Sequence, residues 1–321
     1  MDVRKLADEI INGRRLTRED DLSFFLFVDL RDLTNGADRI RTALCGKKVD
    51  LCTIISGRSG KCSENCRFCA QSAHHHTSCE VHGLLPEEVI MKEAAAMDAE
   101  GVDRVSIVNS GKGPTDEEFE ELIRIFGRMG RELKAELCCS IGFLTEEQFQ
   151  RLHDAGIRNV HCNIETSRRF FPEICTTHTF DDKIANIRRA QAASLTVCSG
   201  GIIGMGETFS DRVDMALTLA ELQIPSIPIN SLMPIPGTPL EHRTRLTEEE
   251  ILRTVAMFRY LNPEAQIRLA GGRALMRDNG KACFSSGANA SITGNMLTTS
   301  GSTIAEDRGM LEELGLEVKP L

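Results

Sequence analysis

Val49 to Gly57 reads VDLCTIISG, a short run of branched and apolar residues that stops at a glycine. Its length and its Val and Ile content fit a buried strand better than a helix segment. Seven runs of the same kind follow: DRVSIVNSG from Asp103, AELCCSIGF from Ala135, NVHCNIET from Asn159, TVCSGGIIG from Thr196, SIPINSLMP from Ser226, QIRLAGGRA from Gln266 and ANASITGNM from Ala288. Amphipathic helical stretches lie between them. Thr115 with Glu118, Thr145 with Gln148, and Thr247 with Glu250 fit capping boxes at helix starts, and Gly101, Gly130 and Gly156 stand where helices should stop. Eight strands alternating with helices over 321 residues predict an α/β fold, a (β/α)8 barrel of the TIM type. The barrel is expected over residues 49–321, and residues 1–48 read as an N-terminal helical extension that caps or flanks it. No linker rich in Pro, Gly or Ser divides the chain.

A formal net charge of -9, with no block of Lys and Arg, argues against binding nucleic acid phosphates and points to a small-molecule partner. One Tyr and no Trp leave few aromatic platforms for stacking bases or sugars. The first residues lack the apolar core of a signal peptide, and no run approaches the ~18 apolar residues of a membrane span, so the expected location is the cytoplasm. Twelve cysteines in a reducing compartment are better explained by metal binding or catalysis than by disulfides.

In a barrel of this kind, chemistry belongs to the C-terminal ends of the strands and the loops that follow. The loop after the first strand carries GKCSENCRFCAQSAHHH, Gly60 to His76, with Cys62, Cys66 and Cys69 inside it. Three thiols are one short of a structural zinc set, unless one of His74 to His76 completes it, and are odd for disulfides. They suit a four-iron [4Fe-4S] cluster with one iron left open to a small ligand. The His triplet itself reads as loop surface. In the fourth strand His161, Asn163 and Glu165 alternate to one face, opposite Val160, Cys162 and Ile164. A barrel packed for stability alone would carry apolar residues there, so this one is expected to hold a ligand.

The spacing CxxxCxxC in that loop resembles the motif of the radical S-adenosylmethionine enzymes. The resemblance implies that the amino acid end of S-adenosylmethionine chelates the open iron and that its cleavage yields a 5′-deoxyadenosyl radical. Gly200, Ile202, Gly204 and Glu207 match the adenosine-contacting pattern GxIxGxxE of these enzymes. Further along, CAQSAHHHT, HCNIETS, CTTHTF, VCSGGIIGMGET, PINSLMPIPGTPL and GANASITGNMLTT, in this order, resemble the biotin synthase family from about Arg41 to Leu316. That family inserts sulfur between two saturated carbons of dethiobiotin and draws it from a second iron-sulfur cluster. The resemblance gives Cys62, Cys66 and Cys69 to the radical cluster, Phe68 to the adenine, and Asn163 and Glu165 to the ribose. Asn163 would also stand near the substrate, Lys183 would meet the cofactor carboxylate, and Asn230 would bind the ureido group.

Of the family's four ligands to a [2Fe-2S] cluster, Cys138, Cys198 and Arg268 have matches here, but Ser106 stands at the fourth position, and a hydroxyl is a poor substitute for a thiolate on iron. The expected replacement is an auxiliary four-iron cluster with an extra sulfide, held by Cys45, Cys52, Cys138 and Cys198 beside Arg268. Cys139 and Cys162 are expected to face outward. Cys79 is a reserve ligand, and Cys175 and Cys283 have no assigned role. The resemblance also implies a flavodoxin or ferredoxin as electron donor, service by the iron-sulfur assembly machinery, and a homodimer. The competing readings are a relative with the same barrel, of the hydrogenase-maturase or methylornithine-synthase kind, and a non-catalytic metal-binding protein.

Overall fold

In the computed structural model, which describes residues 2–295, 297 and 301–318, the run from Val49 lies inside an eleven-residue strand, β1 (Lys48–Arg58). The other runs form β2 (Arg104–Asn109), β3 (Glu136–Ser140), β4 (Asn159–His161), β5 (Thr196–Cys198), β6 (Gly201–Ile203), β7 (Ser226–Ser231), β8 (Gln266–Leu269) and β9 (Ala290–Ile292). A short β10 (Glu317–Val318) adds to the outer end of β1. All pairings are parallel, and β1 bonds to β2 on one side and β9 on the other, which closes the sheet into a barrel of eight staves, with β5 and β6 sharing one. Met296, Thr298 and Thr299 of the GANASITGNMLTT stretch lie outside the described residues.

The fifth stave is broken for a steric reason. A Cβ on Gly200 would lie 1.9 Å from the Pro228 carbonyl oxygen, and one on Gly201 would lie 2.3 Å from the Glu165 carbonyl. The stave therefore carries glycine where neighbouring backbone presses closest. Gly200 N donates to Asn163 Oδ1 at 3.0 Å, and Glu165 N donates to the Gly200 carbonyl at 3.1 Å, so the break is bonded to the end of β4.

Helices cover the outside: α1 (Val3–Ile11), α2 (Leu30–Cys45), α3 (Glu87–Ala99), α4 (Asp116–Glu132), α5 (Glu146–Asp154) and α6 (Phe171–Ile174). After them come α7 (Phe180–Ala192), α8 (Phe209–Glu221), α9 (Glu248–Leu261), α10 (Lys281–Phe284) and α11 (Ile304–Glu313). The three expected capping boxes form, and Thr179 with Asp182, Thr208 with Asp211, and Thr303 with Glu306 form three more. Gly101 and Gly156 follow their helices with positive φ, as expected. Gly130 does not stop a helix: α4 runs through it to Glu132 and ends where Leu133 turns extended, its N–H still bonded to Met129. The N-terminal helices flank the barrel. Tyr260 of α9 donates its hydroxyl to the Val3 carbonyl at 2.9 Å, and Arg253 donates to the carbonyls of Phe25 and Val28. Leu33, Ala37 and Ile40 of α2 are fully buried, and each Leu or Ile buried this way contributes about 1.5–3 kcal/mol.

Candidate active site

A cavity of about 430 Å³ opens at the C-terminal ends of the strands. Its floor is built by strand register. Cys52 of β1, Cys138 of β3, Cys198 of β5 and Arg268 of β8 all line it, and all four are buried. Ser106 of β2, whose Cα pairs with that of Cys138, faces the same space. Arg268 donates to the Asp50 carboxylate, to the Ser291 carbonyl at 3.1 Å and to Ser226 Oγ at 3.4 Å, so its charge is partly balanced before any ligand arrives. Arg104 adds a second guanidinium, with Nε 3.2 Å from Asp50 Oδ2. Burial opposes ionisation of Cys198, but a hydrogen bond and the charge of His161, with Arg268 and Ser226, bring that thiol down to about 7. Burial pushes Cys52 up, and pushes Cys138 up to about 12. Arg104, Ser106 and His161 complete the floor. Ser106 and His161 are singled out by the sequence; Arg104 is not, and its place two positions before Ser106 on the same strand is the signal that would have found it.

Cys45 does not join this group. It ends α2, is absent from the cavity lining, and its Sγ packs against the carbonyls of Pro263 and Glu264 and the guanidinium of Arg259, at 3.4 Å from the last. Arg259 in turn bonds the Gly287 and Ala265 carbonyls and Asn289, so Cys45 belongs to a buried guanidinium site outside the strand ends. The expected fourth thiol is therefore missing from the floor.

Cys62, Cys66 and Cys69 stand at the mouth with Phe68, all partly exposed and all lining the cavity. Backbone bonds fold their loop on itself: Cys62 N donates to the Gln71 carbonyl at 2.9 Å, and Ala73 N donates to the Cys62 carbonyl at 2.8 Å. The segment after β4 clamps it from outside. Asn65 Nδ2 donates to Thr176 Oγ1, Thr176 N donates back to Asn65 Oδ1, and Arg67 N donates to the Ile174 carbonyl. His74 and His75 bond to loop carbonyls, and His74 and His76 are exposed, as loop surface should be. Cys79 and Cys283 lie off the cavity.

The wall between carries the amides and charges. Asn163, Glu165, Lys183, Ile202 and Asn230 line the cavity. Asn230 Oδ1 accepts from Gly271 N at 2.9 Å and its Nδ2 donates to the Gly201 carbonyl at 3.1 Å, which leaves one N–H and one lone pair of the amide. Glu165 has φ +69°, a left-handed conformation unusual for its residue type, and its carboxylate is 3.9 Å from Lys183 Nζ. Burial works against the Lys183 charge, but Glu165 and the thiols of Cys162, Cys66 and Cys175 together hold its pKa above the ordinary lysine value. Cys162 does not face outward as expected. β4 ends at His161, so the strict alternation ends there too, and Cys162 lines the cavity while accepting from Asn186 Nδ2 at 3.3 Å. Cys139 is buried in the apolar core, as expected of the outer face.

Three of the four glycine-motif residues have partners within the protein. Gly200, Gly204 and Glu207 are outside the cavity lining. The Glu207 carboxylate accepts from the N–H groups of Gly204, Met205 and Gly206 at 2.7, 2.8 and 3.1 Å and from Arg212 Nε at 2.8 Å. It organises the turn that sets Ile202 in place.

Residues 58–219 match the family model of the Radical SAM superfamily, and residues 228–317 match that of the Biotin and Thiamin Synthesis associated domain. The Biotin synthase of Clostridium beijerinckii is 55% identical over 316 residues, covering 98% of this chain and 100% of that protein. That of Alkaliphilus metalliredigens is 54% identical over 318 residues, covering 99% and 100%. Among solved structures, methylornithine synthase superposes with a TM-score of 0.86 at 19% identity, covering 98% of this chain and 97% of that one. The FeFe-hydrogenase maturase from Carboxydothermus hydrogenoformans gives 0.81 at 17% identity, covering 98% and 78%. At these identities the likeness to both structures concerns the barrel alone.

Proposed function

The chain belongs to the biotin synthase family of radical S-adenosylmethionine enzymes, and we propose that it inserts sulfur into dethiobiotin inside the cavity at its strand ends. The observation that carries this reading is one cavity with two separate thiol groups, at its mouth and on its floor, and amide side chains on the wall. Register sets the heights. Arg268 pairs with Pro228, so Asn230 stands two residues above the floor, and His161 pairs with Cys198, so Asn163 does the same on the opposite wall.

The donor set at the mouth fits the family's [4Fe-4S] cluster: three soft ligands in one clamped loop, facing a space large enough for a second ligand. Bound there with S-adenosylmethionine, it supplies the radical chemistry that activates a saturated carbon. The protein's part is positioning. Phe68 offers a face for an adenine, Glu165 accepts from ribose hydroxyls, and Lys183 presents a point charge to a carboxylate. Asn230 offers its remaining N–H and lone pair to the ureido group, and Asn163 holds the opposite side of the substrate. On the floor, Cys52, Cys138 and Cys198 are the ligands of the auxiliary cluster in this reading. Three thiolates would suit a four-iron cluster that supplies the transferable sulfide, with Arg268 and Arg104 offsetting its charge.

The same reading includes a flavodoxin or ferredoxin as electron donor, loading by the iron-sulfur assembly machinery, a homodimer and a cytoplasmic location. Among the described residues no helix is long and apolar enough to cross a membrane. The test is anaerobic turnover of the reconstituted protein with dethiobiotin, S-adenosylmethionine and a reductant. Biotin and 5′-deoxyadenosine are expected together, and deoxyadenosine without biotin in the presence of both full clusters would refute the reading.

A further inference from the structure

The floor carries two guanidiniums, and they are bonded differently. An arginine has five N–H donors, and Arg268 uses all of them inside the protein. Its Nε donates to Ser226 Oγ at 3.4 Å, its Nη1 to the carbonyls of Asp50 and Ser291 at 3.4 and 3.1 Å, and its Nη2 to the Asp50 carboxylate and to Gln266 Oε1, the last at 3.0 Å. These bonds tie β8 to β7, β1 and β9, and they leave no N–H for a ligand.

Arg104 is the reverse. It is 9% exposed and lines the cavity. Its buried Nε lies 3.2 Å from Asp50 Oδ2 and 3.3 Å from Glu136 Oε2 but is aligned with neither, and among the described residues no acceptor takes a hydrogen bond from its guanidinium. Buried donors without partners are costly, so a whole guanidinium left this way marks a place made for an acceptor. Register says where. Arg104 pairs with Cys52 on one side and Glu136 on the other, and Ser106, two residues on, pairs with Cys138. Arg104 therefore stands between the strands of two floor thiols, one level below the short hydroxyl that replaces the family's fourth ligand. Asn159 Nδ2 donates to Glu136 Oε2 at 3.0 Å and fixes the carboxylate beside the Arg104 stem.

We propose that Arg104, and not Arg268, is the guanidinium that binds the transferable sulfide of the auxiliary cluster, donating to it through its free fork, while Arg268 is a positioning residue that holds Asp50 and the strands around it. The proposal rests on the functional reading, which puts that cluster on Cys52, Cys138 and Cys198. Charge-assisted bonds from a planar fork suit a sulfide anion, and they add no covalent bond that its transfer would have to break.

The test uses the full chain with Cys62→Ser, Cys66→Ser and Cys69→Ser, which can hold the floor cluster but not the radical cluster. This parent is reconstituted anaerobically and assayed for iron and acid-labile sulfide, and sulfide is expected to exceed iron. Arg104→Met on this background is expected to keep the iron but to lose the excess sulfide roughly 10–100-fold faster on anaerobic dialysis, the effect of removing hydrogen bonds to a charged group. Its cluster is also expected to show a lower midpoint potential in a titration followed by EPR, since a positive charge is gone. Arg104→Lys is expected to restore the potential but not the sulfide retention, because an ammonium supplies the charge without the fork. Arg268→Met is expected to lower the denaturant midpoint of the cluster-free chain, since it leaves Asp50 buried without its main partner. Equal sulfide retention in Arg104→Met and its parent would overturn the proposal and leave the functional reading in place. Parental retention in Arg104→Lys would overturn the role of the fork even where Arg104→Met does not fold. Loss of the excess sulfide from Arg268→Met alone would reverse the two roles and overturn the proposal as well. A parent without iron on its floor would overturn the functional reading and the proposal with it.

Discussion

The two thiol groups of the cavity are made in opposite ways. At the mouth, three cysteines lie within one loop, partly exposed, and are held by backbone bonds of that loop and by residues Ile174 to Thr177. On the floor, three buried cysteines come from three strands, and only register brings them together. The first arrangement can be loaded and emptied from solvent. The second is reached only through the cavity, and its side chains are locked between a paired guanidinium and neighbouring strands. In the proposed reading, this difference places the radical cluster at the mouth and the sulfur source on the floor.

Substitutions can separate the two. Cys66→Ala should abolish both 5′-deoxyadenosine and biotin, measured by chromatography of quenched reactions, because without the mouth ligand no cofactor cleavage occurs. Cys52→Ala should abolish biotin while deoxyadenosine formation continues. Loss of both products from Cys52→Ala would break the division of labour. Asn230→Ala should raise the KM for dethiobiotin by roughly 10–100-fold, the effect of losing one or two hydrogen bonds to a buried polar group, with uncoupled cofactor cleavage unchanged.

A smaller effect is expected beneath the floor at Asp103, which accepts from Leu51 N at 2.8 Å. Burial raises its pKa to about 6, with the charge of Asp50 adding to the effect. The folded state therefore holds the proton more tightly than the unfolded chain, so this residue's contribution to stability is full below about pH 4 and is lost as pH rises through 6. Asp103→Asn should flatten that dependence, gaining about 1–3 kcal/mol over the native chain at pH 8, read by denaturant unfolding of the cluster-free protein. Cys45→Ala should leave the iron content and biotin yield unchanged, since Cys45 pairs with Arg259 away from the cavity. Loss of iron from this variant would restore Cys45 to the floor.

The mouth was legible in the sequence because its ligands are local: CxxxCxxC carries its geometry in its spacing. So were the strands, whose runs of branched residues and capping boxes are written within a few positions. The floor was legible only in part. Cys138, Cys198 and Arg268 could be placed through family resemblance, but whether Cys45 or Cys52 joins them depends on where β1 begins relative to the barrel axis, and that is set by pairing with β2 and β9. Gly200 reads as part of an adenosine-contacting pattern, and the structure shows a second demand on it and on its neighbour Gly201: close approach to the carbonyls of Pro228 and Glu165. A sequence shows that a side chain is missing, not which neighbour required its absence. Cys162 was misplaced for a related reason: alternation is a property of strands, and β4 is only three residues long.

The turn from Gly204 to Gly206 has one more consequence. Successive N–H groups in a glycine-rich turn at the end of a barrel strand make an anion receptor, and many barrels use such a turn to grip phosphate. Here Glu207 fills the receptor from within, and Arg212 pins the carboxylate in it. With these three N–H groups already bonded, the turn has none of them left for a phosphate, which suits a family whose nucleoside cofactor carries none.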